Sequence, residues 1–171
     1  MYLEFIYIII DYFSTLDRRT VIYEWLIPIV IGVVGGIMSY IFEDVLLYDI
    51  IENSIQIIVT LLGFTLATLT LFLTGNSKVE ETKKYLTPKK IRGKNISLYR
   101  FIIISYSYLI ILETLLCIGY YIAKLFPYMT NVYACLIINI LFISLMLNLL
   151  FTTIRSITDL YFIITKENEK V

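Results

Sequence analysis

The stretch KVEETKKYLTPKKIRGKNISLYR, Lys78 to Arg100, holds eight basic residues: Lys78, Lys83, Lys84, Lys89, Lys90, Arg92, Lys94 and Arg100. Only Glu80 and Glu81 oppose them, and the chain on either side is almost wholly apolar. A short, strongly basic segment between apolar runs resists transfer across a bilayer, so it stays cytoplasmic and orients the helices around it. The stretch therefore predicts an all-α, polytopic membrane protein with residues 75–98 as a cytoplasmic loop.

Composition points the same way. Of 171 residues, 59% are hydrophobic and 16% charged, more apolar surface than a soluble domain this small can hide but a balance that lipid solvates directly. The chain has no histidine, which removes histidine acid–base chemistry, histidine metal sites and Ser-His or Cys-His nucleophile pairs. No glycine-rich phosphate loop follows a strand-like run. No segment between apolar runs is long enough to bury a core of its own. The chain reads as non-enzymatic, with no cofactor.

Working outward toward the N-terminus, the run 54–74 reads as the second span. It carries a small pair, Gly63 and Ala67, and the threonines Thr60, Thr65, Thr68, Thr70 and Thr74. Threonines spread round a helix mostly bond their own preceding turn. The connector before it holds Glu43, Asp44, Asp49 and Glu52 with no basic residue, which places it outside. The first span, about 22–42, has Tyr23 and Trp25 at one end and Tyr40 at the other, with Pro28 near its start. Its Gly32 and Gly36 form a small-residue step that suits close helix packing, within the monomer or between copies. Residues 1–19 place Glu4, Tyr7, Asp11, Thr15 and Arg18 opposite Leu3, Ile6, Ile10, Phe13 and Leu16. That pattern predicts an amphipathic helix lying in the membrane interface.

Toward the C-terminus, the third span covers about 99–123 and the fourth about 130–154, with Pro127 and Asn131 marking the outer turn between them. Cys117 and Cys135 fall at similar depth, as small packing residues or as a pair on the oxidising side. On the fourth span, Asn139 adds polar character. Ser144, Asn148, Thr152, Arg155 and Asp159 recur at helical steps as a stripe running toward the tail, 155–171. Of fourteen Lys/Arg, Lys124 alone falls outside and thirteen inside, which puts both termini in the cytoplasm.

Glu113 interrupts the third span near its middle. A charged carboxyl there costs about 2.5–3.5 kcal/mol on insertion scales, so it is protonated, paired or turned to a wet cavity. It serves either as a proton or cation site, or as a hydrogen-bonded link to Asn139, Asn148 or a threonine. The basic residues of the loop serve anionic headgroups or a cytosolic protein. Nucleic acid is not directly indicated, because only Tyr85 and Tyr99 accompany the charges.

Four spans, cytoplasmic termini, a short chain and the stretch LLGFTLATLTLFLTG (Leu61–Gly75) leading into a basic loop resemble the small membrane subunits of bacterial anti-phage defence systems. The KwaA-like membrane component of Kiwa is the nearest in character. The resemblance implies a homo-oligomer that senses infection at the inner membrane and works with a cytosolic partner. The alternative is a small ion channel or holin-like pore that uses Glu113 and the threonine and asparagine positions.

Overall fold

In hydrocarbon a backbone N–H or C=O finds no partner outside its own segment, so the apolar runs fold as helices. The computed structural model describes residues 4–41, 46–74, 77–125 and 132–165. It begins with α1 (Glu4–Ser14). Next, α2 (Arg18–Val21), a π-helical turn (Ile22–Leu26) and α3 (Ile27–Ile41) run on as one helix. There follow α4 (Leu46–Leu73), α5 (Ser77–Thr82), strands β1 (Leu86–Ile91) and β2 (Lys94–Ser97), α6 (Leu98–Leu125) and α7 (Val132–Thr165). The segments Arg18–Ile41, Asn53–Leu73, Leu98–Ile122 and Tyr133–Tyr161 are long and apolar enough to cross a membrane. The chain is an all-α, multi-pass membrane protein with four spans.

The spans do not pack in chain order. Helix α3 lies against α7, α7 against α6, and α6 against α4, while α1 docks on α6. Among the described residues, α3 and α4 share no extended contact, although they follow one another in the chain. The core runs along α6, where Ile102, Leu109, Leu112 and Leu116 meet Ile58 of α4 and Leu149 of α7. Outward-facing Val34, Leu71, Ile122 and Leu141 are exposed, as suits side chains solvated by lipid.

Helices α3 and α7 run antiparallel, and glycines set their spacing. A Cβ on Gly32 would overlap Ser144 Oγ and come 2.9 Å from the Ile140 carbonyl; one on Gly36 would overlap the Ile140 side chain. Both glycines thus serve a contact inside the monomer. Gly63 differs, since a Cβ there meets nothing within 4 Å.

The basic segment expected as a loop over 75–98 is folded. Strands β1 and β2 pair antiparallel, with Lys90 opposite Asn95 and Ile91 opposite Lys94. The register shifts between Leu86 and Lys90, where Pro88 supplies no ladder N–H. The connecting residues Arg92 (φ 50°) and Gly93 (φ 79°) are both left-handed, the backbone that a two-residue hairpin turn requires. Ile91 and Ile96 are buried beneath the hairpin. This anchorage, and the Leu98 N–H bond to the Tyr85 carbonyl (2.8 Å), fold a segment whose charge alone reads as loop.

Other boundaries move for local reasons. Helix α1 ends at Ser14 rather than near 19, because the Thr15 hydroxyl (2.7 Å) and N–H (3.0 Å) both bond the Tyr12 carbonyl and turn the chain. Thr15, assigned by its spacing to the water face, is buried, and the helix packs on α6 as well as showing Ile6, Ile10 and Phe13 outward. Helix α4 takes in positions 49 and 52 of the expected connector, and α7 continues past 154 to Thr165. Glu43, Asp44, Pro127, Asn131, Leu3 and the tail from 166 lie outside the described residues, as do the side chains of Asp49, Glu52, Lys78 and Glu81.

Candidate functional site

Pro28 has no N–H, and its ring crowds the carbonyl four residues earlier, that of Glu24. The helix answers with the π turn, in which the Ile27 N–H bonds the Ile22 carbonyl. The Glu24 carbonyl accepts instead from Asn148 Nδ2 of α7. Asn148 Oδ1 in turn accepts from the Tyr108 hydroxyl of α6 at 3.0 Å. One amide therefore ties the first span, α6 and α7 together.

The same turn buries the Glu24 side chain, which is 3% exposed. Arg155 Nε lies 2.7 Å from Glu24 Oε1, close enough to pair by charge although its N–H is not aimed along that line. The Tyr12 hydroxyl donates to Glu24 Oε2 at 2.7 Å. Its oxygen accepts from Arg155 Nη2 at 3.2 Å and sits 3.4 Å from the Thr152 hydroxyl. The Tyr12 ring stacks on Tyr108, 3.7 Å between centroids and nearly parallel. Burial holds the Tyr12 hydroxyl well above the usual phenol range; the Arg155 charge opposes the shift and the Glu24 charge adds to it. Tyr12 therefore stays a donor, and it clamps α1 onto an ion pair buried among three other elements. The cluster's chemistry is that of a latch.

Hairpin and cluster lie at one end of the molecule. Lys89 of β1 pairs with Asp17, which precedes the first span. Arg92 lies over the Tyr7 ring of α1 (5.9 Å), and Arg100 is 3.7 Å from Asp11. Lys83 lies over the Tyr99 ring (5.1 Å). Lys84, Lys90 and Lys94 are exposed and, among the described residues, have no acidic partner.

The intramembrane residues read from the sequence do not form one site. Glu113 is fully buried on the side of α6 facing α4, with Thr65 Oγ1 2.7 Å from Oε2 and no partner for Oε1 among the described residues. Asn148 faces the opposite side, toward the first span, and Asn139 is half-buried farther along α7. Thr60, Thr68, Thr70 and Thr74 bond carbonyls four residues back. Gly63 and Ala67 are exposed on α4. No disulfide joins Cys117 and Cys135. The stripe on α7 was legible as a pattern, and its role emerges here: Ser144 beside Gly32, Asn148 on the Glu24 carbonyl, Thr152 by Tyr12, and Arg155 on Glu24.

Glu24, Tyr12 and Tyr108 carry the site and were not singled out from the sequence. The available signal was an acid four residues before a proline inside a span, which marks a freed carbonyl and a charge on the same residue. No family model, curated protein or solved structure matches this chain.

Proposed function

We propose that the protein is a non-enzymatic, homo-oligomeric subunit of the bacterial inner membrane, a sensor or scaffold in anti-phage defence that docks an acidic cytosolic protein on its basic hairpin. One observation carries this reading: Lys90 and Lys94 project from a folded hairpin and Lys84 from the turn before it, with no acidic partner among the described residues. A merely topogenic loop needs charge but no shape. Here Lys90 and Lys94 are held on a strand pair anchored by Ile91 and Ile96, so their spacing is fixed before a partner arrives, which lowers the ordering cost of binding. The thirteen-to-one distribution of basic residues supports the cytoplasmic placement of this end.

The test replaces Lys84, Lys90 and Lys94 by Gln. Thirteen inner basic residues become ten, enough to keep the topology. The variant should insert and assemble as the parent does, lose a specific soluble partner, and lose protection in phage plating. Partner binding by the parent should weaken steeply with salt, since exposed charges are screened over about 8 Å at physiological ionic strength. Binding that survives both the substitution and high salt refutes hairpin docking. If only association with anionic vesicles is lost, the hairpin serves headgroups instead.

A further inference from the structure

A carboxyl group removed from water needs donors for its oxygens or a proton of its own. Glu113 is 0% exposed, and its Oε1 has no partner among the described residues. Among the described residues no cation is at hand. The facing span has no charged residue from Asn53 to Ser77, and α7 has none before Arg155. On its own helix, Arg100 and Lys124 are thirteen and eleven residues away, about 20 and 16 Å at ~1.5 Å per residue. The polar groups nearby are Thr65 across the interface and Cys117 one turn along α6.

Proton counting discriminates between the two states of the group. Thr65 Oγ1 lies 2.7 Å from Glu113 Oε2 and 3.0 Å from the carbonyls of both Leu61 and Leu62. A hydroxyl has a single proton to give. If Glu113 is a carboxylate, Thr65 must turn from its own helix to serve it, and Oε1 still faces hydrocarbon. If Oε2 carries a proton, that proton goes to Thr65 Oγ1, and the threonine proton goes to a carbonyl of its own turn. The Glu113–Thr65 contact and one contact from Thr65 to its own turn are then donor to acceptor, and no charge is buried.

We propose that Glu113 and Thr65 form a proton-binding site between α4 and α6, with Glu113 protonated in the resting protein. Helix α4 stands at the end of the row with α6 as its packed neighbour, so loss of that proton loosens the face that holds it. The site is independent of the hairpin reading.

Infrared spectroscopy of the full chain in lipid vesicles, isotope-labelled at the glutamate carboxyl, tests this directly. At neutral pH the protein should show a carboxylic-acid carbonyl band that is lost in Glu113→Gln and shifted in Thr65→Val. Should Glu113→Gln fail to assemble, Glu113→Asp keeps an acid and moves the band. Paired spin labels on α4 and α6 should separate across the alkaline titration that removes the band. Carboxylate absorption from Glu113 at neutral pH, with no acid band, overturns the proposal. Loss of the band on adding sodium at fixed pH also overturns it, since the site then takes a metal cation. Titration of the band without any change in label distance refutes the loosening of α4.

Discussion

Asn148 is held by two groups that would otherwise lie bare in hydrocarbon, the Glu24 carbonyl and the Tyr108 hydroxyl. Replacing it with Leu keeps the volume roughly and strands both, at about 1–3 kcal/mol for each group left unsatisfied. Thermal unfolding in detergent should register that loss. The ion pair beside it behaves differently under truncation. Arg155→Met alone leaves the buried Glu24 charge uncompensated, at a cost of about 3–5 kcal/mol, whereas adding Glu24→Gln brings the protein far closer to neutral. A double-mutant cycle measures the difference; additive losses would show that Glu24 and Arg155 do not act as a pair. Tyr12→Phe removes the donor while keeping the stack on Tyr108, so it should free α1 to proteolysis without unfolding the spans.

At the scale of elements, the two small-residue steps separate. Gly32→Leu forces a side chain into Ser144 and the Ile140 backbone, and overpacking of that kind costs about 1–3 kcal/mol or more. Gly63→Leu meets open space and should stay within about 0.5 kcal/mol of the parent. If Gly63→Leu instead shrinks the detergent-solubilised species at unchanged stability, that face joins copies of the chain. The two steps look alike in sequence because spacing gives a face but not its neighbour. In the hairpin, Arg92 occupies a left-handed position that costs a side-chain-bearing residue about 1–2 kcal/mol. Arg92→Gly should therefore stabilise the hairpin against hydrogen exchange while weakening partner binding. The hairpin itself escaped the sequence reading because its charges dominate the segment, and its two inward isoleucines, Ile91 and Ile96, are a sparse strand signal. Spans and their approximate ends were legible, since length and hydropathy set them directly. The Glu24 site was not, because one partner, Asn148, sits 124 positions along the chain and another, Arg155, farther still.

For the whole molecule, reporter fusions within 75–94 and after Val171 should read cytoplasmic, and fusions at Asp49 or Tyr128 external; a cytoplasmic Asp49 refutes the orientation. The order of the row, α3, α7, α6, α4, had no counterpart in the sequence. Lipid is as apolar as a leucine side chain, so residues that face a neighbour and residues that face the bilayer are drawn from the same set. That order also bears on how the chain is made. The span carrying Glu24 leaves the ribosome first, and the helix that supplies Asn148 and Arg155 leaves it last. Until then the acid waits in the bilayer without its counter-charge, and its carbonyl waits without an amide. Nascent chains arrested before residue 148 should therefore remain crosslinked to the insertion machinery or fall to membrane proteases. Chains long enough to deliver Arg155 should be released, so that completing the last helix licenses the first to leave its chaperone.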